Sequence, residues 1–168
     1  MEYPMITVIP SAASLQSLDI IIAHELAHNW FYGILASNER DYPWLDEGFT
    51  AFYEQKYQSE FYQANKGQFP DFMYPKSAYS DQQLLYRWLA NKRLDQSGAL
   101  SSAAFSRMGY VHAAYGKPTL SLQLLEQYVG KAAFKSATQR YFNEWKFKHP
   151  NPAACQEVFE RALDQKLD

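Results

Sequence analysis

Apolar positions along this chain recur three and four residues apart almost throughout, the spacing of helices with one buried face. The exception is at the front. Residues 3–9 are β-branched at Ile6, Thr7, Val8 and Ile9 and bracketed by Pro4 and Pro10, which reads as one short strand. A Ser/Ala-rich turn follows, and the spacing then predicts a helix over 15–35, with polar Asn38, Glu39, Arg40 and Asp41 in the loop beyond it. A second helix is predicted over 44–65, its first turn acidic as the helix dipole favours. Residues 67–75 read as irregular, 81–94 as an amphipathic helix and 95–102 as a polar loop before a short helix ending near Tyr115. Pro118 sits at a position suited to the first residue of a helix that Gly130 stops. Two further helices are expected over 132–148 and 152–167, the second capped by Asn151. With no internal repeat or linker in the pattern, the expectation is one mainly α unit over residues 1–168, a multi-helix lobe with one short N-terminal strand.

Composition narrows the classes of function. Hydrophobic residues are 47% of the chain and aromatics 17%, enough for a packed core in a single domain-sized unit. The formal charge of −2 supplies no basic face, so nucleic acid is not an expected partner. No apolar run approaches the ~20 residues of a membrane span, and Met1-Glu2-Tyr3-Pro4 lacks the basic and apolar regions of a signal peptide. Cys155, the single cysteine, can form neither an internal disulfide nor a thiolate cluster and is expected to pack.

The chemistry is concentrated in His24-Glu25-Leu26-Ala27-His28. Residues four apart share a helix face, so both imidazoles can point at one ion, while Glu25 is rotated away and can reach a water on that ion without ligating it. The alternative is a pair of hydrogen-bonded histidines on a half-buried helix. A third ligand argues against that. Eighteen residues separate His28 from Glu47, in Trp44-Leu45-Asp46-Glu47-Gly48-Phe49 at the start of the second helix. Two His and one Glu leave the fourth position of a tetrahedral Zn2+ open, as catalytic zinc sites do, whereas a structural site would need four ligands and usually cysteines. Glu25 is then the general base. Glu54, two turns beyond Glu47 on the same face, is placed either to orient a ligand histidine through its ring N–H or as a solvated carboxylate.

With these residues identified, the chain resembles the gluzincin aminopeptidases, the family of aminopeptidase N and leukotriene hydrolase. Ile22-Ala23-His24-Glu25-Leu26-Ala27-His28-Asn29-Trp30-Phe31 looks like that family's zinc helix, and the segment around Glu47 like its third-ligand helix. The resemblance implies two further roles. Met1-Glu2-Tyr3 matches the end of the family's Gly-x-Met-Glu-Asn motif, with Tyr3 in place of Asn, which would make Glu2 the carboxylate that grips a substrate's free amine. Tyr115-Gly116-Lys117-Pro118 is similar to the family's Tyr-x-Lys-Gly, with Pro118 in place of the glycine, which would make Tyr115 the oxyanion-stabilising hydroxyl, Tyr110 being the fallback.

The family's full proteins have a saddle-shaped β domain, a thermolysin-like catalytic domain and a C-terminal helical domain. The resemblance therefore implies that residues 1–168 are the helical part of a thermolysin-like zinc peptidase catalytic domain, a fragment of a larger protein. The expected activity is a zinc-dependent aminopeptidase. A thermolysin-type endopeptidase, for which Glu2 would be a bland carboxylate, is the alternative, followed by a non-enzymatic interaction domain that keeps the fold. Expected partners are a peptide substrate, the remaining domains and, through the uncharged strand 3–9, a second copy of the fragment. His112 is expected to pack near Tyr115, His149 to face solvent, and Tyr141, Phe142, Trp145 and Phe147 to form core or a packing face.

Overall fold

The computed structural model describes residues 2–3, 5–68 and 80–167; of the irregular stretch expected over 67–75, residues 69–75 lie outside the described part. Helix α1, Leu15–His28, begins where the Ser14 hydroxyl accepts the Ser17 N–H at 3.0 Å. It continues as a π-helical turn, Asn29–Ile34, so the α-helix expected through residue 35 ends at the second histidine of the motif. A second π turn, Trp44–Gly48, leads into α2, Phe49–Ala64. After α3, Ser80–Asn91, and a 3₁₀ turn at Ser102–Ala104, helix α4, Arg107–Tyr110, passes without a break through a third π turn, Val111–Gly116, into α5, Lys117–Val129. Pro118 is therefore the second residue of α5, one later than its preference for a helix start suggested. Gly130, at φ 88°, makes the sharp turn into α6, Lys131–Trp145. Helix α7, Pro152–Leu163, is capped by Asn151, whose Oδ1 accepts the Ala154 N–H at 2.9 Å.

The front of the chain departs from expectation. Residues 3–9 form no single strand. Strand β1, Glu2–Tyr3, pairs antiparallel with β2, Ile6–Thr7, in the register Glu2 to Thr7 and Tyr3 to Ile6. Met5, at φ 68°, lies in the turn between them. The sequence contains the reason: Pro4 has no N–H to give to a ladder, so a strand running unbroken through it would lose a bond. The hairpin rests against the π turn that follows α1.

The helices pack in sequence-adjacent pairs, α1 on α2 and α6 on α7, with α5 bridging α2 to α6. Phe49, fully buried at the first position of α2, is the hub of the aromatic core: its ring stacks on Phe31 at 5.4 Å and on Tyr141 at 5.8 Å, with Phe159 at 6.2 Å. Cys155 packs in the same core, where burial pushes its thiol up to about 12. Of the aromatic group at the end of α6 and just after it, Tyr141 is core and Phe142 and Trp145 border it, while Phe147, beyond the helix, is exposed. Polar ties lock α1 to α2. The Asp19 carboxylate accepts from the Tyr57 hydroxyl at 3.1 Å and from the Tyr62 hydroxyl at 2.9 Å. Among the described residues, no helix is long and apolar enough to cross a membrane.

Candidate active site

Two elements build the site. Helix α1 carries His24 and His28 one turn apart, and the π turn before α2 carries Glu47 between them. The imidazoles meet edge to face, with ring centroids 4.8 Å apart and Nε2 atoms 3.2 Å apart. Glu47 Oε2 lies 3.3 Å from His24 Nε2 and 3.4 Å from His28 Nε2, and the side chain is buried.

The outer nitrogens decide what those inner atoms are. His24 Nδ1 faces Glu54 Oε2 at 3.1 Å; His28 Nδ1 faces Asp46 Oδ1 at 2.6 Å, with Thr50 Oγ1 3.3 Å from the same nitrogen. Carboxylates accept only, so each Nδ1 carries a proton and each neutral ring turns its Nε2 lone pair inward. Two nitrogen lone pairs and a carboxylate oxygen then converge in a buried space. Their mutual repulsion is relieved only by positive charge at the centre. The spacing suits an ion, because a tetrahedral zinc with bonds of about 2.0–2.1 Å holds its ligand atoms about 3.3–3.4 Å apart. Donor type, tautomer and spacing all fit, so His24, His28 and Glu47 can hold a metal.

Protons can fill the same role. Burial by itself would lower the His24 pKa, but the hydrogen bonds to Glu47 and Glu54 outweigh it and hold it at about 9. Burial opposes charge on His28 too, yet Asp46 and Glu47 raise it to about 10. For Glu47, burial works upward, and the bonds from His24 and His28 overcome it and draw the carboxyl down to about 2. All three shifts report one field, strongly attractive to a cation.

Around this centre the remaining residues take definite places. Glu25 is half-buried on α1, outside the triangle of donor atoms, where it lines a small cleft with His28, Asn29 and Tyr3 of the hairpin. Tyr115, on the third π turn, donates its hydroxyl to Glu47 Oε1 and stacks on His24 with ring centroids 5.8 Å apart. Tyr110 meets the Tyr115 ring edge-on at 5.9 Å, one layer further out. Glu54 accepts from Gln58 Nε2 while facing His24, so it is part of the site and no free surface carboxylate. Glu2 stands in β1 across from Thr7; its side chain is outside what the structure describes. His112 does not line the cleft. It is buried against the Tyr86 ring, and burial holds its pKa down. His149 is exposed, with Nδ1 2.9 Å from the Ala36 carbonyl.

Sequence reasoning passed over Asp46 and Thr50. Asp46 is fully buried and holds the outer nitrogen of His28 while its neighbour Glu47 faces the inner one, so consecutive carboxylates clasp a single ring. The only hint was an acidic pair opening a helix, which the helix dipole explains equally well.

Residues 5–168 match the family described as the peptidase family M1 domain. Among curated proteins, the chain is similar to leukotriene A-4 hydrolase of Xenopus laevis, 30% identical over 159 residues that cover 87% of this chain and 26% of that protein. Probable aminopeptidase 1 of Sulfurisphaera tokodaii is 28% identical over 141 residues, covering 83% of this chain and 17% of that protein. Glutamyl aminopeptidase of Rattus norvegicus is 24% identical over 169 residues, covering 94% and 16%. The chain thus spans roughly a sixth to a quarter of the length of these relatives. In fold it is similar to a two-domain M1 zinc metallopeptidase solved with L-arginine, at TM-score 0.60 and 19% identity over 86% of this chain and 29% of that one. An M1 zinc metallopeptidase from Deinococcus radiodurans, solved with a Tyr-Ser-Ala substrate, aligns at TM-score 0.58 and 19% identity, covering 86% and 31%.

If a zinc ion occupies this site and Asp46 sets the tautomer of His28, Asp46→Ala weakens zinc binding by about 10–100-fold, the usual cost of losing an outer-sphere partner. Competition against a chelator of known affinity measures it, and the fold should persist by circular dichroism. Unchanged zinc affinity would remove Asp46 from the site.

Proposed function

The chain belongs to the M1 peptidase family, and from that membership we propose that residues 1–168 are the helical, zinc-holding part of the catalytic domain of an aminopeptidase, one unit of a longer protein. The observation that carries the proposal is the convergence of His24 Nε2, His28 Nε2 and Glu47 Oε2 at 3.2–3.4 Å, with a carboxylate on each outer nitrogen. That the chain's relatives include aminopeptidases supports it.

In this reading His24, His28 and Glu47 are the Zn2+ ligands, Glu54 and Asp46 orient the histidines, and the substrate is a peptide with a free amino terminus. Zinc, when bound, polarises the scissile carbonyl and lowers the pKa of its water to about 7. The protein supplies the rest. Glu25, one residue beyond the first ligand, takes the proton of the attacking water and passes it to the departing amine. The Tyr115 hydroxyl leaves Glu47 Oε1 to donate to the carbonyl oxygen as negative charge develops there. Glu2, on the hairpin that rests beside Glu25, receives the substrate's ammonium group. A thermolysin-type endopeptidase would use the same ligands and base but would have no need of Glu2.

Glu25→Gln in the full-length protein keeps zinc at one equivalent and abolishes hydrolysis, a loss on the order of 10²–10⁴ for a missing general base. Metal analysis beside an aminoacyl-substrate assay measures both, and near-normal turnover would show that another group handles the proton. Glu2→Ala depresses cleavage of substrates with a free amine and raises relative activity on N-acetylated peptides. Equal effects on the two classes would favour the endopeptidase.

Self-association of the 168-residue chain through residues 3–9 is also part of the proposal. The β1–β2 pairing occupies one strand edge, while Ile6, Val8 and Ile9 remain exposed on the hairpin and the segment after it. Sedimentation should then show association that rises with concentration and is lost on deleting residues 3–9. A monomer at high concentration would end this part of the reading.

A further inference from the structure

The π turn that carries Glu47 and the path that carries Tyr115 come close together at Gly48. A Cβ placed on Gly48 would lie 2.6 Å from Pro118 Cβ and 2.7 Å from Pro118 Cγ, against 3.4 Å from the Ala114 carbonyl oxygen. The pyrrolidine ring of Pro118 is thus seated on the bare backbone of Gly48, the residue directly after Glu47. Both are buried. Beside them Thr119, fully buried, donates its hydroxyl to the Tyr115 carbonyl at 2.7 Å and lies 3.4 Å from the Gly48 carbonyl, so the same seam holds the backbone of Tyr115.

Pro118 also bears on the shape of the helix it sits in. A proline inside a continuous helix lacks an N–H and crowds the carbonyl four residues back, here Ala114. The path from α4 to α5 is continuous, and the turn just before Pro118 is widened, its closing bond running from the Lys117 N–H to the His112 carbonyl. A π turn takes up that crowding and, by adding a residue to the turn, rotates Tyr115 relative to an α-helical path.

We infer that Pro118, seated on Gly48, is the positioning residue that holds the Tyr115 hydroxyl on Glu47. The inference deepens the proposed function, since it rests on Tyr115 acting in the reaction. Its action is indirect: Pro118 touches neither substrate nor the donor triangle, and its effect passes through the direction of one hydroxyl.

The test uses the full-length protein. Pro118→Gly lowers kcat by about 10–100-fold, the scale of a 1 Å misplacement of a reacting group. KM and zinc content stay within about 2-fold, as expected when an interaction made only in the transition state is lost. In the Tyr115→Phe background the same change costs less than about 2-fold, because the two act as one unit. A crystal structure of the Pro118→Gly protein shows the Tyr115 hydroxyl displaced from Glu47; a hydroxyl still on Glu47 would overturn the inference whatever Tyr115 does in the reaction. Equal losses in the two backgrounds would overturn it as well. Should Tyr115→Phe alone leave kcat unchanged, the catalytic reading of Tyr115 fails, and the displaced or undisplaced hydroxyl still decides the positioning. A size exchange gives a second measure that does not depend on one variant folding. Gly48→Ala sets a Cβ against the ring and lowers kcat further than Pro118→Gly alone; adding Pro118→Gly brings kcat back up to the level of the Pro118→Gly protein, whereas adding Pro118→Ala, which keeps the Cβ at fault, does not. Recovery with both, or with neither, would mean that the ring and Gly48 are not the coupled pair.

Discussion

Two imidazole nitrogens and a carboxylate oxygen crowded about one buried point have to be held together by their surroundings and by a shared positive charge, whether protons or a metal ion. His24 Nε2, His28 Nε2 and Glu47 Oε2 lie 3.2–3.4 Å apart, and each would turn away if its side chain were free. Each is held. Glu54 and Asp46 fix the two imidazoles from behind, and Tyr115 takes the second oxygen of Glu47. Every one of these restraints comes from an element other than α1, so the packing of α1, α2 and the α4–α5 path is what keeps the triangle closed.

The π turns explain how so few residues can do this. In a regular α-helix, neighbouring side chains diverge by about 100°, and Asp46 and Glu47 would point to different sides. On the wider turn Trp44–Gly48 both reach His28, one at each ring nitrogen. The turn Val111–Gly116 brings Tyr115 to the same glutamate, and the turn Asn29–Ile34 starts directly after the second histidine. A π turn sacrifices favourable hydrogen-bond geometry, so it persists where the surroundings compensate. Here the aromatic core centred on Phe49 lies immediately behind Gly48 and supplies that support.

One consequence is a division within α2. Its first residues, Phe49 and Thr50, face respectively the core and His28, and its second turn carries Glu54 back to His24. Core and site therefore share a helix with no spacer between them, and the Asp19 bonds to Tyr57 and Tyr62 keep that helix in register with α1.

Much of this was legible in the residues alone. The helical spacing, the capping residue Asn151 and the stop at Gly130 specify the helices locally, because propensity and capping act over a few residues. The two histidines four apart and a glutamate nineteen residues beyond likewise mark out the donor set that the fold brings together, since a single helical turn and one loop suffice to join them. What the sequence left open are contacts between residues far apart in the chain. Whether Glu54 faces solvent or His24, whether Asp46 serves the helix dipole or His28, and that Pro118 meets Gly48 depend on how whole helices dock. Local pattern carries no information on docking. The π turns are of the same kind: apart from Gly48, the residues of Trp44–Gly48 suit an ordinary α-helix, and the core packs against one side of the turn and the histidines against the other.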